Sequence, residues 1–417
     1  MVSSAVPPSA LSRVIGYALE YRDLQTGASV LPVRILVLSD ISDTSAAQSG
    51  DKILNATADK VADKLGRSSL GCEIMNTLDG LNASQFIDVL AVDPELPSLD
   101  LRATLNTALG DVWYNIVVNP FALSPDGNYD AVSAKFYAVL ASVNGAPSDT
   151  GGTGRWNAIT VKPFVAISGT NLEIFEPLPS NDLTNIIGTA PKAFADSPIF
   201  TQASAFRIIS ARIAAAYAFL AYKQFSARPH LDIAGQILPE IEPPADLNTR
   251  IFETHDQRDT IAKQGICTVN IDRAARGYVV QDFITPYRPS AQGELAKSWR
   301  FVRDIFVDFN VAFNYNILQA RRLLGKVIIS DSDIIPAHLE KDAVRLSVWK
   351  AEVLIFLSNM ISLLYMTDID FARENLFVEL SSDNPRRINT QFSYKRTSTV
   401  NIASTTAYVG FSFGGTQ

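Results

Sequence analysis

Three kinds of residue in this chain could carry chemistry: its histidines, its cysteines and a glycine-rich loop. The three histidines, His230, His255 and His338, are far apart in sequence and lack the spacing of a metal-binding motif such as H-E-x-x-H. His255 precedes Asp256, which could suggest a catalytic base and its orienting acid. Adjacent residues rarely converge on one site, so solvated loop residues are the better interpretation. The sequence predicts no metal site and no catalytic residue.

The glycine-rich loop covers residues 145–154, GAPSDTGGTG. It lacks the Lys-Ser/Thr pair that ends a phosphate-binding loop and the glycine spacing of a dinucleotide fingerprint. A plain flexible loop is therefore the prediction, and no cofactor is expected. No G-x-S-x-G nucleophile elbow is present. An α/β enzyme with an unrecognised active site stays as the alternative, because catalysis does not require a known motif.

The chain has two cysteines, Cys72 and Cys267, which form no metal-ligand pattern and no disulfide framework. One interpretation is a pair of reduced, partly buried thiols, since free cysteine behaves as a small hydrophobic residue. The other is a disulfide between two copies of the chain, formed in an oxidising medium after release from the cell. Both interpretations are kept.

The length, charge and composition of the chain limit the classes of partner that it can bind. The 417 residues are enough for two or three domains, and only 19% of them are charged. The net charge is −7, with no basic stripe to neutralise phosphates, so no direct nucleic-acid contact is expected. The most apolar run, Val353 to Met366, is too short for membrane insertion. The N-terminus shows no signal-peptide pattern, which predicts folding in a cytoplasm.

Alternating strand and helix patterns dominate the first half. Buried strands are predicted at 33–38, 86–92 and 113–118, with helices between them, which favours a largely parallel sheet covered by helices. Residues 161–167 look like another strand, and Pro163 places it at an edge. The predicted class is therefore α/β, more broadly mixed α+β.

Three long helices are predicted further along, at 203–226, 293–324 and 336–366. The second carries aromatic residues at intervals of three or four from Trp299 onward. Such a stripe indicates a core-facing helix side and not a cofactor site.

Both ends of the chain carry strand patterns that need a partner. Residues 14–22 alternate with period two, and residues 397–413 are rich in β-branched and aromatic residues. A free apolar strand is an aggregation hazard unless it joins a sheet, its own or a neighbour's. The residues expected to form these subunit-interface strands are Ile15, Tyr17, Leu19, Tyr21, Val400, Ile402, Tyr408, Val409, Phe411 and Phe413.

Several segments, in order, resemble the contractile tail sheath proteins of Mu-like phages. They are GRSSL at 66–70, the alanine-rich helix followed by RPHLDIAG at 228–235, GICT at 265–268, and GYVVQDFITPY at 277–287. Two positions depart from the family pattern: Ser68 stands where glycine is usual, and Pro286 where a threonine is usual. The similarity covers roughly residues 30–380 at the level of patterns.

This resemblance implies a sheath-subunit core with helix-covered sheets and extended N- and C-terminal strand arms. The implied divisions are an N-terminal arm (1–29), an outer or middle α/β domain (30–235), an inner sheath core domain (236–396) and a C-terminal arm (397–417). In such proteins the arms link subunits by adding strands to neighbours' sheets.

The resemblance also implies a function. Sheath subunits stack as rings around an inner tail tube and contract to drive the tube through the host envelope. The expected partners are other copies of this chain, the inner tail tube protein, and the baseplate and tail terminator proteins. The expected location is the virion tail, after assembly in the bacterial host cytoplasm, and no enzymatic activity is implied.

Overall fold

The protein forms two hydrophobic cores that are joined by one long helix. This architecture comes from a computed structural model, which describes residues 29–42, 46–110, 112–122, 130–145, 154–156, 162–171, 200–205, 210–243, 259, 262, 265–272, 274, 276–285 and 300–400.

A six-stranded sheet lies at the centre of the first core, in the order β2-β3-β1-β4-β5-β6. All neighbouring pairs are parallel except β2 with β3. Every residue of β1, β3 and β4 is buried, as expected for parallel strands covered on both faces. The strands are β1 (Ile35–Ser39), β2 (Lys52–Ile53), β3 (Ile87–Ala91), β4 (Ile116–Asn119), β5 (Val165–Asn171) and β6 (Phe200–Ala205).

Five helices of the described part of the chain accompany this sheet: α1 (Ala58–Leu65), α2 (Leu70–Leu78), α3 (Ser98–Leu109), α4 (Ala131–Asn144) and α5 (Ser210–Phe225). Helix α5 packs on β4 and β5 and against α2, while α3 and α4 pack on each other. The α/β class predicted from the sequence is confirmed.

Helix α2, which the sequence analysis did not predict, begins at the GRSSL segment. Ser69 caps it by accepting a hydrogen bond from the Cys72 backbone N–H. The backbone N–H groups of the first two helical residues donate to side chains at the end of β1. Leu70 donates to Asp40 at 2.6 Å, and Gly71 donates to Ser39 at 3.0 Å. A Cβ on Gly71 would lie 2.4 Å from the Ser39 Oγ, so glycine allows this close approach.

Two predictions around β5 and β6 are wrong. Strand β5 lies between β4 and β6 and is not at an edge, because Pro163 precedes the strand and leaves its hydrogen bonds intact. Residues 203–205 belong to edge strand β6 and are not helical, and the described helix covers Ser210–Phe225. Pairing with β5 overrides the helix propensity of the alanines there.

A hairpin of β7 (Val269–Asp272) and β8 (Gly277–Val280) adds to the first core. Ile233 and Leu238, on either side of the predicted boundary at 235/236, are both buried in this core. The division of the chain into four parts stays a prediction.

Helix α6 (Val302–Arg322) joins the two cores. Ile305 and Phe309 pack in the first core, whereas Val307 and Val311 pack in the second. The preceding residue, Phe301, has extended backbone dihedrals, so the described helix starts later than the prediction of 293.

The second core is built around helix α7 (Leu346–Ser362), which packs against α6 and α8 (Ile369–Glu374). The predicted helix over 336–366 is wrong in extent, because a 3₁₀ turn (Ala337–Asp342) and a short strand precede α7. Three two-stranded sheets surround it: β9 (Val327–Ile328) with β10 (Ala343–Val344), β11 (Met366–Thr367) with β14 (Lys395–Arg396), and β12 (Phe377–Leu380) with β13 (Ile388–Gln391).

Candidate assembly surface

Groups that could do chemistry are sparse in the described part of the chain. There, no three histidine, cysteine or acidic side chains come close enough to hold a metal ion. None of the described helices is long and apolar enough to cross a membrane. His230 is only partly buried, and burial together with the nearby Arg303 charge lowers its pKa. The features that indicate binding to another protein are exposed apolar side chains and sheet edges.

Exposed apolar side chains concentrate in the second region. Of the fourteen large hydrophobic side chains exposed among the described residues, ten lie after residue 323. Ile334 is 98% exposed and Leu324 80%, values that leave nearly the whole side chain in water. The other eight are Val327, Leu339, Val348, Ile355, Leu364, Phe377, Leu380 and Val400. Where exposed apolar side chains form a contiguous patch, they mark a site of contact with other proteins.

The short sheets of this region have free edges. Strands β12 and β13 pair with each other in antiparallel register, Phe377 opposite Gln391 and Leu380 opposite Ile388. Among the described residues neither strand has a second partner. An exposed edge with unpaired N–H and C=O groups is a template for an added strand.

A cavity of about 660 Å³ lies beside this small sheet. Tyr315 and Gln319 of α6 form one wall, and residues of β12 and β13 form the other. The Tyr315 ring also meets the Phe392 ring edge-on, with centroids 5.0 Å apart. The small sheet and the long helix therefore enclose a groove large enough for side chains of another segment.

A partly buried group of charges fixes the end of this region to α6. The Tyr394 hydroxyl donates to Asp308 Oδ1 at 2.7 Å, and Arg396 Nε lies 3.4 Å from the same oxygen. Burial raises the pKa of Asp308 to about 6, although the Arg396 charge and the Tyr394 hydrogen bond oppose the rise. Burial and the Asp308 carboxylate raise the pKa of Tyr394 well above its ordinary value. The last strand, β14, is thus tied to α6 through side chains.

Most of the predicted arm residues cannot be placed. Val400 is the last described residue of the chain and is 87% exposed. The others lie outside the described residues: Ile15, Tyr17, Leu19, Tyr21, Ile402, Tyr408, Val409, Phe411 and Phe413.

Both cysteines are buried in the subunit, and neither forms a disulfide within it. Cys267 is fully buried, where its thiol contacts the backbone of Ile284, and burial strongly raises its pKa. Cys72 lies in α2, and burial also raises its pKa. Such surroundings favour the interpretation as reduced thiols, because a buried thiol is hard to reach from another copy. The disulfide between copies stays a prediction.

Sequence analysis missed the exposed residues of the second region. Ile334 and Leu324 look like any other apolar residue in sequence, and their exposure depends on what the fold leaves uncovered. A weak signal is available for Ile334, which lies within the polar segment SDSDIIP at 330–336.

The fold, a six-stranded α/β sheet joined through one helix to a region of short sheets, is similar to that of three solved structures. A sheath tail protein of Listeria innocua is 9% identical, with a TM-score of 0.53, covering 89% of this chain and 94% of that one. A chain of the anti-feeding prophage baseplate is 12% identical, with a TM-score of 0.57, covering 96% and 100%.

The third structure is the anti-feeding prophage helical sheath in its contracted state. Its chain is 14% identical, with a TM-score of 0.53, and the match covers 97% of this chain and 99% of that one. No family model and no curated protein matches the sequence. The likeness is thus one of fold over nearly the whole chain, at low sequence identity.

Proposed function

We propose that this chain is a structural subunit of a contractile tail sheath, in a phage or a related injection particle. It polymerises as stacked rings around an inner tube and contracts to drive the tube through the host envelope. The observation that carries the proposal is the concentration of exposed apolar side chains and unpaired sheet edges after residue 323. A fold shared with a contracted helical sheath over nearly the whole chain supports it.

The subunits connect through strands at the two chain ends. Residues 15–21 and 400–413 of neighbouring copies add to the free edges of the β12–β13 sheet, beside the groove under α6. Strand addition satisfies backbone hydrogen bonds along the edge and covers exposed side chains such as Phe377 and Leu380. The chain ends therefore supply connectivity.

The globular bodies supply the energy of contraction. Contraction requires an extended arrangement that is metastable and a contracted one that buries or pairs more surface. The exposed apolar residues of the second region are the surface whose burial differs between the two arrangements.

Further partners follow from this role. They are the inner tail tube protein, the baseplate and the tail terminator proteins, and the particle is assembled in the bacterial host cytoplasm before it becomes part of the virion. The subunit acts mechanically and not as an enzyme.

Removal of residues 398–417 tests the proposal. We expect the truncated subunit to keep its circular dichroism and cooperative unfolding, because Thr397 and the residues before it are retained. Negative-stain electron microscopy of the full-length protein should show long hollow tubes, and the truncated protein should show none.

Two results would contradict this proposal. Uniform small particles of the full-length protein at high concentration would argue against a sheath. Unfolding of the truncated subunit would show that the C-terminal segment belongs to the core and is not a connecting arm.

A further inference from the structure

Helix α6 contains three polar side chains that are almost completely buried. Arg303 is 2% exposed, Asn310 0% and Asn314 7%. Burying such groups is unfavourable unless hydrogen bonds compensate it, and apolar residues would serve a helix between two cores better. The partners of these side chains explain their presence.

Asn310 and Asn314 hold the first described residues of the chain. The Asn314 side chain accepts from the Ser29 N–H at 2.9 Å and donates to the Ser29 C=O at 2.8 Å. The Asn310 side chain accepts from the Leu31 N–H at 2.8 Å. The amide of Asn314 thus binds both backbone groups of Ser29, as a neighbouring strand would.

Arg303 holds the other end of the described chain. Its guanidinium donates to the Thr397 C=O and, at 2.6 Å, to the Thr397 hydroxyl. It also donates to the His230 C=O at 2.9 Å and to Asp304 at 2.8 Å. The Thr397 hydroxyl in turn donates to the Leu364 C=O. Thr397 is therefore fixed from two sides, three residues before the described chain ends.

The three side chains lie along one face of the same helix. Arg303, Asn310 and Asn314 are separated by seven and four residues, which returns each to nearly the same angular position. At a rise of about 1.5 Å per residue, Arg303 and Asn314 are roughly 16 Å apart along the helix. The first and the last parts of the described chain are therefore both held by one rigid helix.

We propose that α6 mechanically couples the two chain ends, with Arg303, Asn310 and Asn314 as positioning residues. Force arriving through one arm passes along the helix backbone to the other arm and bypasses the six-stranded sheet. The length of the helix then sets the distance between connected neighbouring subunits while the globular bodies rotate. This inference rests on the proposed function, because it assumes that the chain ends connect subunits.

A matched control exists within the same chain. Asn144, at the end of α4, donates to the Phe164 C=O at 2.7 Å and accepts from the Phe164 N–H at 3.0 Å. This is the geometry of Asn314 with Ser29, but it holds an internal segment, and Asn144 and Phe164 are fully buried whereas Ser29 is exposed. Asn314→Leu and Asn144→Leu each remove one side-chain hydrogen bond to a backbone N–H and one to a backbone C=O, and Asn314→Leu also removes the donation to the Asn310 C=O at 2.8 Å. Only Asn314→Leu affects an end of the described chain.

The first measurement is hydrogen exchange in the soluble subunit. Asn314→Leu should raise the exchange rate of the Ser29 amide about tenfold, the effect of losing roughly 1.4 kcal/mol of hydrogen bonding, and Asn144→Leu should leave it unchanged. An unchanged rate in Asn314→Leu would overturn the anchoring role, whether or not tubes form.

The second measurement is the half-life of tubes on dilution, for Asn314→Leu, Arg303→Met and the double variant. Anchors in series predict that each single variant shortens the half-life about tenfold and that the double variant is no worse. Thr397→Val removes the hydroxyl alone and replaces Arg303→Met if that variant does not fold.

The outcomes separate the two proposals. The coupling would be overturned if the double variant shortened the tube half-life by the product of the two single effects. It would also be overturned if Asn144→Leu shortened the half-life as much as Asn314→Leu does. Either result would leave the sheath function intact. A wild-type protein that forms no tubes would overturn the sheath function and with it the coupling, and the anchoring role would then be decided by hydrogen exchange.

Discussion

The two regions of this protein treat their apolar residues in opposite ways. Around the six-stranded sheet, strands such as Ile35–Ser39 and Ile87–Ala91 are buried along their whole length. After residue 323 the strands are two to four residues long, and Phe377, on β12, is 59% exposed. Among the described residues, the first region buries its central strands completely, whereas the second leaves large apolar side chains and short two-stranded sheets exposed around its core.

The difference teaches where stability and assembly reside. A parallel sheet covered by helices satisfies its backbone and buries its side chains without a partner. Short two-stranded sheets are marginal alone and gain from added strands. We therefore expect substitutions of buried residues in the first region to affect folding. We expect substitutions of exposed residues in the second region to affect assembly, with little effect on folding.

The largest expected effect is that of a charge in the central sheet. Val37, in β1, is fully buried, so Val37→Asp should cost about 4 kcal/mol or more, a large part of the stability of a domain. We expect no cooperatively folded subunit, as measured by circular dichroism during urea titration.

The matched variant in the second region is Phe377→Asp. Because Phe377 is mostly exposed, its free energy of unfolding should change by less than about 1 kcal/mol, while tubes disappear from negative-stain images. Normal tubes in Phe377→Asp, or a folded Val37→Asp, would break the contrast between the two regions.

An intermediate effect is expected from pH. Burial raises the pKa of Asp308 from 3.8 to about 6, so the folded subunit keeps a proton that the unfolded chain releases. The ionised carboxylate therefore destabilises the fold above pH 6, and this penalty disappears as the pH falls from 6 to below 4. Relative to Asp308→Asn, the wild type should gain about 2 kcal/mol between pH 7 and pH 4.

A second carboxyl provides the control for this prediction. Burial also raises the pKa of Asp232, in the first region, to about 6. Urea unfolding of Asp308→Asn and Asp232→Asn at both pH values should show the same sign of change in one shared transition. A pH-independent difference from wild type would contradict the role of Asp308, and two separate transitions would show that the regions unfold independently.

The smallest effect is expected from the cysteines. Because both thiols are buried and have raised pKa values, maleimide labelling of the native subunit should be at least about a hundredfold slower than after urea unfolding. Reductant should leave tube length unchanged. Tubes that dissolve on reduction would instead support the disulfide between copies.

Local patterns in the sequence predicted much of the first region. The apolar runs at 33–38 and 86–92 correspond to β1 and β3, and the alternation of strands with helices gave the α/β class. Errors fell where a long-range partner decides the outcome. Residues 203–205 form a strand because they pair with β5, and residues 343–344 form a strand because they pair with β9.

The candidate site was less accessible to sequence reasoning. Pattern analysis treated α6 as a core helix, and Ile305 and Phe309 agree with it. The signal it passed over is a pair of asparagines, Asn310 and Asn314, spaced four apart within that apolar pattern.

The sequence by itself determined the fold class and many of the core-forming residues, because these follow from short-range periodicity, and the strands at both chain ends stay a prediction. Only the tertiary structure decided which apolar residues stay uncovered and which polar residues are buried. Ser29 and Asn314 are 285 positions apart, and their hydrogen bond exists because the folded chain brings them together. Such contacts depend on the path of the whole chain, which no local pattern contains.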